Sequence, residues 1–218
     1  MCGIWSLIHK NNNIDISKFL SDFWRLQHRG PDNSHFETFD DNLYLGFHRL
    51  AIMDTSFKSN QPYVIQEKDR TIVFICNGEI YNYKELDKTY NLNVNTSDCL
   101  VIPKLYSKLV KHNSNYEDWF NLFKLNFIKG EFAFLLFEFD HNKKLNRYFV
   151  VRDSIGVRPL YEAENNNNID YYSSEIKGMQ SYNGPVKEFP PGNLKVVTCN
   201  IFDYTIKYES FVDNIYGR

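Results

Sequence analysis

The sequence predicts an α+β domain in which antiparallel strands form layers and helices pack outside them. Short apolar runs rich in β-branched and aromatic residues recur along the 218 residues, and turn-forming residues separate them. Amphipathic stretches, with apolar residues three and four apart, lie between these runs. No linker or internal repeat divides the chain, so we expect one domain over residues 1–218.

The first half of the chain predicts a strand, a helix and then two further strands. Asp15 or Ser17 caps the first helix, and Gly30 ends it. The helix carries an apolar stripe that faces the core. The predicted elements are strand 4–8, turn 11–13, helix 16–27, strand 43–47, strand 71–76 and a helix beginning at 83–86.

The second half predicts two helices followed by strands joined by turns. Pro103 is acceptable only in the first turn of its helix or in a distorted helix, because it lacks a backbone N–H. The predicted elements are helix 98–109, helix 116–125, strand 130–139, turn 140–144, strand 148–151, turn 165–168, strand 171–173, a short helix from 174, and strands around 196–197 and 202–208.

Composition and charge exclude several classes of function. Hydrophobic residues make up 43% of the chain, enough for a sizeable core, and a net charge of -2 offers no nucleic-acid or anionic-membrane surface. No apolar run approaches the ~20 residues of a membrane span, and no leader pattern is present, so we expect a cytoplasmic protein. The four cysteines lack CxxC spacing and the six histidines are scattered, so we expect neither disulfides nor a metal site.

Cys2 is the strongest candidate for a catalytic residue. Once Met1 is removed, Cys2 carries a thiol and a free α-amine, whose unperturbed pKa values are about 8.5 and about 7.7–8.0. One residue then supplies a nucleophile and a base, as in N-terminal-nucleophile (Ntn) hydrolases, and Gly3 adds no side chain beside the thiol. The alternative base is His48. The competing interpretation is that Cys2 is an incidental buried cysteine.

Polar groups at three further positions have a chemical or a structural interpretation. Arg49 lies in an apolar segment, where it forms either an internal salt bridge or a bidentate clamp for a ligand carboxylate. Asn77 and Gly78 follow a strand and precede a helix, and such a junction exposes an amide side chain and a backbone N–H as two oxyanion donors. Asp98 is a first-turn carboxylate that the helix dipole favours.

Together these segments resemble the class II glutamine amidotransferase domain, most closely the N-terminal half of glutamine-dependent asparagine synthetase. The matching segments fall in the family's order and cover nearly the whole chain. They are Met1-Cys2-Gly3-Ile4-Trp5, His28-Arg29-Gly30-Pro31-Asp32, Phe47-His48-Arg49-Leu50-Ala51-Ile52, Asn77-Gly78-Glu79-Ile80-Tyr81-Asn82, Ser97-Asp98-Cys99, Gly130-Glu131-Phe132-Ala133-Phe134, Arg152-Asp153 through Pro159-Leu160-Tyr161, Ser174-Glu175-Ile176-Lys177 and Pro190-Pro191-Gly192.

The resemblance implies an Ntn-hydrolase fold, a four-layer αββα sandwich with two antiparallel sheets between helical layers. It also implies that glutamine is hydrolysed to glutamate and ammonia. By position, Cys2 is the nucleophile and its own α-amine the base, while the Asn77 side chain and the Gly78 N–H resemble the oxyanion hole.

The same resemblance assigns the groups that bind glutamine. Arg49 resembles the clamp for its carboxylate, and Asp98, with Glu79 nearby, resembles the anchor for its ammonium group. The glutamine pocket of the family has a backbone edge, which is resembled here by the run Leu50, Ala51, Ile52 and Met53. Free glutamine has one negative end, one positive end and one neutral amide, so its site needs a cation, an anion and a nucleophile beside an oxyanion hole.

The chain departs from the family pattern in two places. Pro103 stands where an ordinary helix residue is usual, close behind Asp98. The ATP-pyrophosphatase half, with its phosphate loop, is absent from the 218 residues. ATP and Mg are therefore expected only in that missing synthetase domain, and no cofactor is expected for the glutaminase step. The expected partners are L-glutamine and a synthetase domain or subunit that accepts ammonia.

Two other functions compete with an active glutaminase. One is an amidohydrolase that uses an N-terminal cysteine on a different amide. Arg49 and Asp98 argue against it, because a substrate that is not an amino acid needs no such pair. The other is a non-catalytic module that senses glutamine or acts as a scaffold for a partner.

Overall fold

The computed structural model describes residues 1–9, 14–52, 54–111, 114–163, 169–199 and 204–211. In these ranges the chain forms two antiparallel six-stranded sheets. The strands are β1 (Gly3–His9), β2 (Asn33–Phe39), β3 (Leu43–Arg49), β4 (Tyr63–Gln66), β5 (Arg70–Ile80), β6 (Gly130–Asp140), β7 (Leu145–Arg152), β8 (Tyr161–Ala163), β9 (Ile169–Ser173), β10 (Val186–Glu188), β11 (Asn193–Cys199) and β12 (Tyr204–Ser210). One sheet has the order β10-β8-β9-β1-β3-β2 and the other β12-β11-β7-β6-β5-β4.

Helices cover the outer face of each sheet. They are α1 (Ser17–Trp24), α2 (Tyr83–Tyr90), α3 (Val101–Leu109) and α4 (Glu117–Lys124), with 3-10 turns at Gln27–Arg29, Phe57–Ser59, Asp98–Leu100 and Ile176–Met179. Phe23 of α1 and Met179 pack with Trp5 of the β1 sheet. Leu105 of α3 and Trp119 of α4 pack against the β5 sheet. The layers therefore run helix, sheet, sheet, helix, and the expected four-layer αββα sandwich is confirmed.

A hydrophobic layer between the sheets holds them together. Alternate residues of each strand point into it, for example Ile4 and Ile8 of β1 and Val73 and Ile75 of β5. Each of these side chains is at most 2% exposed. Burial of such a side chain stabilises the fold by about 1.5–3 kcal/mol. A one-residue slip in strand register would turn these side chains to the opposite face and lose that stabilisation.

The strand that contains Asn77 and Gly78 is longer than the sequence predicts. Residues 71–76 were expected to form a strand that stops before Asn77, but β5 continues to Ile80, and Gly78 pairs with Phe132 of β6. The predicted junction at Asn-Gly is therefore wrong. Gly78 is tolerated in mid-strand because β6 comes close there: a Cβ on Gly78 would lie 2.8 Å from the Phe132 Cα and Cβ.

The helix that follows Asp98 begins in two stages. The Ser97 hydroxyl accepts the Cys99 N–H (3.3 Å) and starts the 3-10 turn, after which α3 begins at Val101. Pro103 is thus the third residue of α3 and lies in its first turn, where backbone N–H groups lack intrahelical partners. The placement that the sequence required of Pro103 is confirmed.

Two further expectations change in detail, and others fall outside the described residues. The first helix stops at Trp24 instead of residue 27, and Gln27–Arg29 forms a separate 3-10 turn. The predicted turns 11–13 and 165–168, and the start of the last strand at 202–203, lie outside the described ranges. None of the helices in those ranges is long and apolar enough to cross a membrane.

Candidate active site

A cavity opens between the two sheets where β1 begins and β3 ends. Side chains of alternate residues in a strand share one face. Cys2 therefore lies on the inter-sheet side with Ile4, and Arg49 lies there with Phe47. The cavity is lined by Met1, Cys2, Phe47, Arg49, Leu50, Ile52, Asp54, Ser59, Gln61, Cys76, Asn77, Gly78, Glu79, Ser97, Asp98, Cys99 and Arg158.

The backbone of the first residues is fixed on both sides. Gly3 pairs with His48 in the β1–β3 ladder, and the Ile4 N–H donates to the Ser174 hydroxyl (3.0 Å). Arg29 Nε donates to the carbonyl oxygen of Cys2 (2.8 Å). The terminal residue of a chain usually frays, but these contacts hold Cys2 at the cavity.

The Cys2 thiol contacts the backbone of Leu50. The Leu50 N–H donates to Cys2 Sγ (3.4 Å), and the Leu50 carbonyl accepts from the thiol (3.7 Å). Burial raises the pKa of the Cys2 thiol above its ordinary value. The thiol is therefore protonated at neutral pH, and a base must remove its proton before it can attack a substrate.

His48 is unsuited to be that base. Its ring stacks on Phe23 at 4.2 Å, on the face of the sheet that carries α1, whereas Arg49 points to the opposite face. The two ring nitrogens lie 2.8 Å from Ser34 Oγ and 2.9 Å from the Phe23 carbonyl oxygen. Burial also lowers the pKa of His48, so the ring is neutral and structural.

Arg49 is held by the loop that follows it, and part of its guanidinium remains available. Nη1 donates to the Ser56 carbonyl (2.7 Å) and to Asn60 Oδ1 (2.6 Å), and Nη2 donates to the Asp54 carbonyl. A guanidinium has five N–H donors, so two are left, Nε–H and one on Nη2. Among the described residues Arg49 donates no hydrogen bond beyond these three, and the residue is 6% exposed. This arrangement suits a carboxylate in the cavity.

The Asn77 side chain contains a buried donor without a protein partner. The residue is 1% exposed, and in the described part of the chain nothing accepts a hydrogen bond from its Nδ2. A buried amide nitrogen that lacks a partner is unfavourable by roughly 1–3 kcal/mol. Asn77 lies on the same face of β5 as Val73 and Ile75, which face the sheet that carries Cys2. The donor therefore faces the cavity that contains the thiol.

The backbone N–H of Gly78 faces the outer edge of β5. The N–H groups of Cys76 and Ile80 point away from β6, to Gln61 Oε1 (2.6 Å) and Asp98 Oδ2 (2.6 Å). N–H groups two residues apart in a strand point to the same side, so the Gly78 N–H points there too. The Cys99 thiol donates to the Gly78 carbonyl on that side (3.4 Å).

Asp98 and Glu79 place two carboxylates on the cavity wall. Asp98 is 3% exposed, and its Oδ1 accepts from the Ser97 hydroxyl (3.2 Å), while Oδ2 accepts from Ile80. Glu79 is half-buried and pairs with Glu131 in the β5–β6 ladder. These carboxylates and Arg49 give the cavity an anionic part and a cationic part.

The run 50–53 contributes unequally to the cavity. Leu50 and Ile52 line it, and Ile52 is 73% exposed. Ala51 does not line it, and its N–H donates to Asp32 Oδ2 (2.7 Å). Met53 lies outside the described residues. The Gly-Pro-Asp stretch at 30–32 thus supports the cavity edge from behind.

Several lining residues were not among the candidates that the sequence indicated. Gln61 is 5% exposed and hydrogen-bonded to the backbone of Cys76. Arg158 pairs with Glu131. In the sequence, the signal that could have identified Gln61 is a polar residue just before the apolar run of β4. For Arg158 the signal is its position in a charged loop. In the described ranges, no three His, Cys, Asp or Glu side chains are grouped so as to hold a metal ion.

The fold and the cavity define the class to which the chain belongs. Two antiparallel sheets between helical layers, with Cys2 near the N-terminus at an inter-sheet cavity, define an Ntn-type amidohydrolase fold. A family model described as a glutamine amidotransferase domain matches residues 1–215. The chain belongs to this family and is an enzyme domain of the glutamine amidotransferase type.

Within that family, the chain is similar to the N-terminal part of asparagine synthetases. It is 34% identical over 201 residues to the glutamine-hydrolysing asparagine synthetase of Sandersonia aurantiaca, covering 89% of this chain and 34% of that protein. It is 33% identical over 207 residues to the corresponding enzyme of Mesocricetus auratus, covering 90% of this chain and 34% of that protein. The chain thus spans about a third of the length of these relatives.

A solved structure confirms the fold independently. The glutamine phosphoribosylpyrophosphate amidotransferase of B. subtilis, in complex with ADP and GMP, aligns with a TM-score of 0.71. The alignment covers 96% of this chain and 49% of that one, at 18% sequence identity. At this identity the likeness shows the shared Ntn-hydrolase fold.

Proposed function

We propose that Cys2 attacks the side-chain amide of L-glutamine, giving glutamate and ammonia. The observation that carries this proposal is the buried Asn77 Nδ2, which has no described partner and faces the cavity that holds the thiol. A donor kept unpaired beside a nucleophile suits an oxygen that becomes negative during the reaction. Arg49 and Asp98 in the same cavity suit the carboxylate and ammonium ends of a free amino acid.

The reaction has two stages. After removal of Met1, the α-amine of Cys2 takes the thiol proton, and sulfur bonds to the amide carbon. Asn77 Nδ2 and the Gly78 N–H donate to the resulting oxyanion. The C–N bond breaks, the nitrogen takes up the proton and leaves as ammonia, and a thioester remains. Water then adds to the thioester, releases glutamate and restores the thiol.

The domain's partners and cofactors follow from the same proposal. The family match and the relatives' names support a synthetase domain or subunit that takes up the ammonia. We propose that ATP and Mg act only in that domain. The glutaminase step uses only this chain's own groups and needs no cofactor. The free thiols of Cys2, Cys76 and Cys99 support a reducing, cytoplasmic location.

Substrate comparison tests the proposed function against its alternatives. The mature protein should release ammonia from glutamine and be inactive on a simple acyl amide at the same concentration, since the latter lacks both charged ends. Equal rates on both substrates would favour a different amidohydrolase. Binding of glutamine without release of ammonia would favour a sensing module.

Asn77→Ala should lower kcat far more than it changes KM. Loss of one oxyanion donor reduces kcat by about 10²–10³-fold, because the interaction forms mainly in the transition state. Steady-state glutaminase kinetics would show this, with Asn121→Ala on α4 as the matched control. A change in KM alone would show that Asn77 binds the ground state and does not stabilise the oxyanion.

Arg49→Lys and Asp98→Asn should mainly raise KM, by about 10–100-fold, because they alter groups that bind ground state and transition state alike. Asparagine is preferred to alanine at position 98 because its side-chain oxygen still accepts the Ile80 N–H. Arg25→Lys, at the residue that follows α1, is the control, since the Arg25 side chain is 41% exposed. A fall in kcat at constant KM would contradict these roles.

A further inference from the structure

Among the described strands, none pairs with the outer edge of β5 over its second half. β4 pairs only with residues 71–74 of β5, ending in the pair Tyr63 and Phe74. If that ladder continued, the next residues, Pro62 and Gln61, would lie opposite Ile75 and Cys76. The ladder does not reach these two residues, because β4 begins at Tyr63.

The side chain of Gln61 replaces the missing strand at one position. Its Oε1 accepts the Cys76 N–H (2.6 Å), and its Nε2 donates to the Cys76 carbonyl (3.1 Å). The side-chain amide of Gln61 therefore forms hydrogen bonds to both backbone groups of Cys76, as the backbone N–H and C=O of a neighbouring strand would. Gln61 is 5% exposed, so these two hydrogen bonds are shielded from water.

A second side chain accepts a backbone N–H of this edge four residues further along. Asp98 Oδ2 accepts the Ile80 N–H (2.6 Å). Between these two fixed points lies Gly78, whose N–H points to the same edge. A continuous strand along this edge would cover the Gly78 N–H, whereas two separate side chains pair its neighbours and leave it open.

We propose that Gln61 is a positioning residue for the oxyanion hole. It fixes the peptide groups of Cys76, next to Asn77, and so sets the direction of the Asn77 amide and of the Gly78 N–H without touching the substrate. This inference rests on the proposed glutaminase function and adds a residue to it. A displacement of about 1 Å in a catalytic donor reduces the rate by up to ~10²-fold. Loss of the Gln61 hydrogen bonds that hold the Cys76 peptide groups should therefore have a measurable effect on kcat.

The test is Gln61→Met, which keeps the length of the side chain and removes both hydrogen bonds. We expect kcat to fall about 10–100-fold and KM to change less than about 3-fold. The matched control is Gln66→Met on β4, an exposed glutamine that does not line the cavity. Hydrogen exchange should become faster in the peptide that contains residues 74–80 and remain unchanged in β7.

Each other outcome overturns the inference in a distinct way. Wild-type kcat in Gln61→Met would show that the hole does not depend on Gln61, while the proposed function stands. Faster exchange throughout the protein, with a raised KM, would show a general structural role. If the unmodified mature protein itself releases no ammonia from glutamine, the proposed function fails first, and the positioning role fails with it.

Discussion

Replacing Cys2 with alanine should abolish the release of ammonia from glutamine, by about 10⁴-fold or more, and leave the fold intact. Removal of a catalytic nucleophile has effects of this size because no other group forms the covalent intermediate. The other thiols are poor substitutes: Cys76 and Cys99 are at most 3% exposed, and Cys99 donates to the Gly78 carbonyl. Cys2→Ser should be nearly as inactive, because a hydroxyl is a weaker nucleophile at neutral pH.

A glutaminase assay and circular dichroism check this prediction together. The fold should persist because Cys2 is half-buried and its thiol, among the described residues, forms hydrogen bonds only to the Leu50 backbone, at 3.4 and 3.7 Å. Cys199→Ala is the matched control, since Cys199 lies on β11 and does not line the cavity. Turnover at the wild-type rate in Cys2→Ala would rule out the mechanism.

A blocked N-terminus should inactivate the protein even though every side chain is present. Burial raises the pKa of the Cys2 thiol, so the reaction depends on a base, and the proposed base is the α-amine of the same residue. In a peptide bond that nitrogen is a planar amide without a basic lone pair. Met1, where present, also lines the cavity, so a retained residue occupies part of the entrance.

Intact-mass spectrometry on three forms checks this second prediction. A glutamine-like electrophile should label the mature protein at Cys2 and leave both the form with an uncleaved tag and the Cys2→Ala form unmodified. Equal glutaminase activity in mature and tagged protein would place the base elsewhere. His48 would then be a poor choice, because its ring nitrogens contact Ser34 and the Phe23 carbonyl on the far face of the sheet.

The fold class was predictable because the strands and helices have distinct periodicities. Burial on both faces gives β6 a continuous apolar run, and one-sided burial gives α1 its apolar stripe. Strands β2 and β4 were not predicted, since they lie at sheet edges and are only partly buried. Edge strands contain fewer apolar residues, so their periodicity is weaker.

The Asn77-Gly78 stretch shows where local signals fail. These two residues are typical of a turn, and the sequence predicts the strand to end before them. The structure instead keeps them inside β5, where contact with β6 leaves no room for a Cβ at position 78. The propensity for a turn is weaker than the pairing of eleven residues with a long neighbouring strand.

The sequence by itself determined the chemical groups and their order: a thiol beside the N-terminus, an arginine in an apolar segment, an Asn-Gly pair and a carboxylate at a helix start. Tertiary structure alone decided which of their hydrogen-bonding groups remain available. Arg49 keeps two of five donors because its loop uses three, and Asn77 keeps Nδ2 because no described neighbour accepts from it. It also decided the role of Gln61, which is adjacent to Cys76 in space although fifteen residues separate them in the chain. Residue identity sets what a group can donate or accept, whereas contacts between distant segments set which of those capacities are already satisfied.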